Sequence, residues 1–175
     1  MLLTEFDDNR QAIINPEDLN EPLEGFPKIA VSCFSRSTFQ RMLEMFPHEL
    51  IYETSMANVA IPIYKLVIDE QELALFNAPV GASACVAILE DIFALGTDKL
   101  VLFGTCGVLD EDIKETSIII PSHALRDEGT SFHYVEASNE IAVNVGVLAC
   151  FRSYLNERQI PHKEGKIGRA SCRER

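Results

Sequence analysis

The 175-residue chain predicts an α/β fold, and three features carry that prediction. Apolar runs alternate between period 2 and period 3.6, and Gly, Pro, Asn and Asp punctuate them. Residues 72–104 read as strand, helix and strand, a unit whose helix can bury its apolar stripe only against a sheet. Strands are expected at KIAVSCF (28–34), AIPIYKLVI (60–68), ELALFNA (72–78), KLVLFG (99–104) and TSIIIPS (116–122), with a further one at 50–54. Helices are expected at 36–46, 83–95 and 141–158. In the middle helix Cys85, Leu89, Ile92 and Phe93 fall on one face, with Glu90 and Asp91 turned away, and Gly96 stands where a C-terminal cap needs positive φ.

Composition sets the bounds. Hydrophobic residues make up 47% and charged residues 24%, the balance of a globular domain with a core. A formal charge of −12 with no basic stripe argues against a sequence-independent grip on nucleic acid or an anionic membrane, which depends on clustered Lys and Arg. No apolar stretch reaches the roughly 18 to 20 residues that cross a bilayer, and MLLTEFDDNR is acidic where a signal peptide is basic, so a cytoplasmic location is expected. The five cysteines, at 33, 85, 106, 150 and 172, show no zinc or redox-pair spacing and are read as reduced thiols.

The last nine residues, IGRASCRER, lack apolar periodicity; three arginines against one glutamate give them +2, leaving −14 on the 166 residues before. Read back through the genetic code they look like a common sequencing adapter, so residues 167–175 are set aside as a non-native tail and 1–166 are taken as one incomplete domain. HKEGK (162–166) would then open another strand.

Ligands of open α/β sheets gather beyond the carboxyl ends of strands, where helix starts expose N–H groups. VSCFSRS (31–37) leaves a strand through Ser32 and Cys33 and places Arg36 at a helix start, with Ser35 or Ser37 as cap. An arginine there opposes the helix dipole unless an anion intervenes, so Arg36 reads as an anion clamp ahead of a solvated surface arginine. NAPVGASA (77–84) leads through Gly81 into the next helix, a pattern that suits ligand approach and tight packing equally. In KLVLFGTCGVLDED (99–112), Gly104 and Gly107 permit close backbone approach, Thr105 offers a hydroxyl, and Cys106, with no histidine adjacent in sequence, reads as a small buried hydrophobe rather than a nucleophile. RDEGTSFHY (126–134) resembles a substrate-facing loop; Asp127 and Glu128 form either a carboxylate pair or a solvated turn, and His123 and His133 do not have zinc-ligand spacing.

In this order and spacing, the GTCG strand, the PVGASACVAILEDIFALG unit and the RDEGTSFHY loop resemble the nucleoside phosphorylase family of uridine phosphorylases and hexameric purine nucleoside phosphorylases, over about Asn15 to Lys166. The resemblance implies a mixed, twisted sheet curling toward a partial barrel with helices outside, C-terminally truncated here, and assembly as dimers or trimers of dimers. It implies cleavage of a nucleoside N-glycosidic bond by phosphate, giving free base and ribose 1-phosphate, with no metal or organic cofactor and phosphate as co-substrate.

Carried over by position, Arg36 matches the arginine of the phosphate loop and Ser32 stands at that loop's glycine. Thr105 matches a threonine touching phosphate and ribose, Gly104 and Gly107 keep their glycines, and Gly81 matches the helix-leading glycine. Cys106 and His133 join Gly81, Thr105 and Gly107 as expected substrate contacts, and Gly104 joins the phosphate set.

The chain also departs from the family. Leu102 replaces a second phosphate-binding arginine, Gln11 is the nearest match to an N-terminal histidine, and no arginine stands near Asn58. A hydrolytic relative, a nucleosidase using water, therefore remains an alternative, as does a noncatalytic nucleoside-binding protein. The base-binding aromatic, the Met-Glu pair for the ribose and the catalytic acid are expected beyond residue 166, so this chain alone is expected to be inactive.

Overall fold

The computed structural model describes residues 5–114 and 118–168. The chain divides into two units, Asn9–Thr105 and one that joins the residues from Cys106 on to those before Asn9, each with its own sheet.

The first unit holds β1 (Ile29–Cys33), β2 (His48–Met56), β3 (Val59–Ile68), β4 (Gln71–Asn77) and β5 (Lys99–Phe103), in the order β2-β3-β4-β1-β5. Two hairpins make β2, β3 and β4 antiparallel, while β1 lies parallel to both β4 and β5. Asp69 and Glu70 turn β3 into β4 with φ of 49° and 64°, the double positive φ of a two-residue hairpin turn, without the glycine that usually supplies it.

Helices cover both faces of this sheet. α3 (Ala82–Ala94) buries Cys85, Ile88 and Ile92 against Ala30, Ile63, Ala74 and Phe76. α2 (Arg36–Met45) buries Phe39 and Leu43 against Cys33, Leu66 and Leu75. The consecutive apolar residues Ala74, Leu75 and Phe76 thus point alternately into two cores, which is why β4 reads as an unbroken greasy run rather than an alternating one. α3 ends as its glycine requires: Gly96, at φ 125°, donates to Phe93 O, and Thr97 N donates to Ile92 O, the paired bonds of a Schellman cap.

The second unit holds β6 (Ile118–Leu125), β7 (Glu140–Ala142), α4 (Val145–Glu157) and β8 (His162–Ile167). β6 is central, antiparallel to β7 and parallel to β8. Arg152 of α4 grips Glu164 of β8 with two bonds, at 2.6 and 2.8 Å, and Lys166 pairs with Glu140 across the sheet. Both units are mixed sheets flanked by helices, as expected, and among the described residues neither sheet closes into a barrel.

Several expectations are corrected. The helix expected from residue 141 begins at Val145; Asn144 caps it, accepting from Gly146 N and Val147 N, and residues 140–142 pair with β6 instead. The strand expected at 50–54 runs from His48 to Met56 on the edge of the sheet, with His48, Glu49, Glu53 and Ser55 exposed and Thr54 buried. Asp91 does not face away: it accepts from Thr54 Oγ1 at 2.5 Å and Asn20 Nδ2 at 2.9 Å, while Phe93 is the side chain left exposed. α1 (Pro16–Leu19) was not anticipated, being a single turn held by the Asp18 carboxylate on Asn15 N. The strand expected at 116–122 extends to Leu125; its residues 116 and 117, like 169–175 of the supposed tail, lie outside the described residues. HKEGK does form a strand, β8, which closes at Ile167.

Candidate functional site at three adjacent strand ends

β4, β1 and β5 are neighbours and parallel, with Cys33 in register with Asn77 on one side and Phe103 on the other. The segments that follow them, Ala78–Gly81, Phe34–Arg36 and Gly104–Thr105, therefore leave the same edge of the sheet side by side. A Cβ added at Gly104 would sit 3.2 Å from Phe34 Cδ2, so the β5 exit packs directly on the β1 exit and glycine permits that approach.

Two helix starts face this edge, and they are finished differently. Ser35 caps α2, its hydroxyl accepting from Thr38 N at 3.3 Å, which selects Ser35 over Ser37. Arg36 is the first residue of that helix and is exposed; among the described residues it makes no ion pair or hydrogen bond. At α3 no side chain caps the first turn, since the N-cap is Gly81, at φ 113° with open space around it. A bare helix N-terminus and an unpaired guanidinium give this edge positive potential in a chain of net charge −12.

What holds the edge in shape was only partly foreseen. Ser32 is fully buried, and its hydroxyl donates to Phe76 O at 2.9 Å while accepting from Ala78 N at 3.0 Å. Asn77 Nδ2 donates to Cys33 O at 2.6 Å. These bonds rivet the exit of β1 to the exit of β4, so the Ser32 side chain serves the scaffold. Asn77 was missed, because its partner is a backbone carbonyl on a strand distant in sequence. Burial pushes the Cys33 thiol up from its ordinary value, against a smaller opposing effect of the Ser35 backbone.

Thr105 is exposed at the end of this unit. Cys106 and Gly107 begin the second unit and are exposed as well, so Cys106 is not the buried hydrophobe expected of it.

His133 is exposed at the end of a short 3-10 turn, Thr130–His133. Glu128 is partly buried and belongs to an acidic turn: its carboxylate accepts from Thr130 N at 2.8 Å and Ser131 N at 3.1 Å. Burial pushes its pKa up, but the bonds from Ser131 and Thr130 outweigh burial and hold it below its ordinary value.

A hollow of about 280 Å³ lies elsewhere in the first unit, lined by Leu19, Ser55, Met56, Ile88 and Asp91 among others, and none of the site residues expected from the sequence borders it. Among the described residues no three His, Cys, Asp or Glu side chains are grouped to hold a metal ion. Nor is any helix there long and apolar enough to cross a membrane.

Parallel strands whose carboxyl ends gather an unpaired arginine, a bare helix start and a glycine-lined exit are features of an α/β protein whose helices flank a mixed sheet. The chain belongs to the phosphorylase superfamily, whose family model matches residues 28–170. It is 27% identical over 74 residues to a guanosine phosphorylase of Halorubrum lacusprofundi, a match covering 41% of this chain and 31% of that protein. In fold it is similar to a uridine phosphorylase from Vibrio fischeri ES114, with TM-score 0.72 at 16% identity over 90% of this chain. It is also similar to a 5'-methylthioadenosine/S-adenosylhomocysteine nucleosidase from Helicobacter pylori, with TM-score 0.64 at 22% identity over 83% of this chain. The chain spans 65% of the length of each of these two structures.

Proposed function

We propose that this chain is the first part of a nucleoside phosphorylase. In this reading the intact parent transfers ribosyl from a nucleoside to inorganic phosphate: the C1′–N bond breaks, a C1′–O bond to phosphate forms, and the departing base takes up a proton. The observation that carries the reading is the shared edge of β4, β1 and β5, where Arg36 lacks a partner among the described residues and Gly104 lies against Phe34. Such a transition state is oxocarbenium-like, so an anion held beneath the sugar by preorganised donors lowers the barrier.

Arg36 and Thr105 are assigned to phosphate, together with the N–H group beside Gly104, and Gly81 to the substrate. Ser32 and Asn77 keep the loops in register. Substrate contacts at Gly107, Cys106 and His133 belong to the same reading, as do a cytoplasmic, homo-oligomeric parent and a reaction needing no cofactor beyond phosphate. The catalytic acid and the base-binding groups are placed beyond residue 166, so the present chain is expected to bind phosphate without turnover.

Hydrolysis is the second reading. Leu102, where uridine phosphorylases carry a second phosphate-binding arginine, leaves the edge less charged, and the fold is shared with a nucleosidase. The intact parent, given uridine, inosine or guanosine with and without phosphate, should release base only with phosphate and form ribose 1-phosphate. Equal release without phosphate would establish the nucleosidase, and binding without release would leave a nucleoside-binding protein.

A further inference from the structure

Asn77 is the last residue of β4, half-buried and in register with Cys33 of β1. Leu75, two residues earlier, packs in the core under α2, so the strand's alternation puts Asn77 on the face that α2 covers. Its Nδ2 donates to Cys33 O at 2.6 Å, and that carbonyl also accepts from Ala78 N at 3.1 Å. Two donors on one acceptor fix the peptide that joins β1 to Phe34, the link before Ser35 and Arg36.

The bonds continue past that peptide. Cys33 Sγ donates to Ser35 O at 3.4 Å, and Ser35 O also accepts from Phe39 N at 3.0 Å. The Ser35 hydroxyl accepts from Thr38 N and from Thr38 Oγ1. A continuous series of hydrogen bonds therefore runs from Asn77 through Cys33 to the cap of α2, and Arg36 is the residue next to that cap. Ser32 acts deeper in the sheet, on Phe76 O and Ala78 N, and does not reach this peptide.

The Arg36 side chain has no comparable support. It is exposed, and among the described residues it makes no hydrogen bond or ion pair, so its backbone alone sets where the guanidinium starts. A group already in place loses less freedom when a ligand arrives, so holding that backbone raises affinity without any new contact.

We propose that Asn77 is a positioning residue for the anion site: through Cys33 O it fixes the turn that carries Arg36. This rests on the reading that the edge of β4, β1 and β5 holds an oxyanion, which Arg36 touches and Asn77 does not.

The test is a double-mutant cycle on phosphate affinity in the present chain, followed calorimetrically. Asn77→Leu keeps the side-chain volume without the donor, Asn77→Ala removes both, and each is made alone and together with Arg36→Ala. Alone, either substitution should weaken phosphate binding about threefold to tenfold, the loss of one hydrogen bond's worth of preorganisation. Added to Arg36→Ala, it should change affinity less than about twofold, since the group it positions is gone. Amide exchange should speed up at Phe34 to Ser37 in both variants and stay unchanged in β2 and β3.

Equal weakening with and without Arg36 overturns the proposal, because Asn77 would then act on the ligand or on the fold at large. Wild-type affinity in Asn77→Leu overturns it too, as does unchanged exchange at Phe34 to Ser37 in both variants, while the oxyanion reading stands. A wild-type chain that binds no phosphate is the distinct failure: it sinks the oxyanion reading and this proposal with it.

Discussion

The two units cover their apolar surface very differently. Of the apolar side chains that are buried among the described residues, only Ile120 and Leu155 belong to the second unit; both continuous cores, one on each face of the five-stranded sheet, lie in the first. α4 is less apolar than α3 but as amphipathic, yet Val145 is 79% exposed, Tyr154 50% and Phe151 38%. Apolar periodicity reports that a face is meant to be covered, and α3 finds its cover in β1, β3 and β4 whereas α4 buries only Leu155. The second unit is held instead by polar devices: the Arg126 guanidinium on Ser131 Oγ and Val135 O, the Arg152–Glu164 and Lys166–Glu140 pairs, and Ser122 Oγ on Gly165 O.

The largest expected effect comes from breaking the better-packed side. Phe76→Ala opens a cavity in the core under α3 and should cost about 3–5 kcal/mol, read from the denaturant midpoint. Phe151→Ala on α4 should cost less than about 1 kcal/mol. Equal costs would erase the contrast between the units.

Acid should separate them next. The bond from Lys166 holds Glu140 below its ordinary value of 4.5, and the bond from Arg152 does the same for Glu164. With Glu128, these are carboxylates whose folded pKa is depressed, so their stabilisation is complete above 4.5 and is lost as pH falls through the lower folded values. In the first unit only Asp18, bonded by Asn15, is depressed among the described residues. Amide spectra taken from about pH 6 down to about pH 3 should therefore show 118–168 loosening before 28–103, modestly because exposed pairs contribute little. Simultaneous loss would contradict this.

The smallest effect sharpens the first unit. Glu70→Gly relieves a positive φ in the β3–β4 turn and should raise stability by about 1 kcal/mol, read as a higher denaturant midpoint.

Legibility in the sequence followed the same division. β4, α3 and β5 were readable because their periodicities differ and Gly96 marks the cap. The start of α4 was misplaced because Ile141 and Val143 extend an apolar pattern that Asn144 interrupts, and a capping side chain is a weaker signal than periodicity. Arg36, Gly81, Gly104 and Thr105 could be singled out because strand ends and helix starts are local. Ser32, Asn77 and Arg126 could not be given their roles, since each bonds backbone carbonyls whose position depends on strand order or loop shape.

The central claim is that the edge of β4, β1 and β5 binds an oxyanion through Arg36. Phosphate titrated into the wild-type chain and into Arg36→Ala, followed calorimetrically, tests it most directly. A charged hydrogen bond contributes about 1.5–3 kcal/mol, so affinity should fall about tenfold to a hundredfold with the thermal midpoint unchanged. Equal affinity in the two proteins would contradict the account.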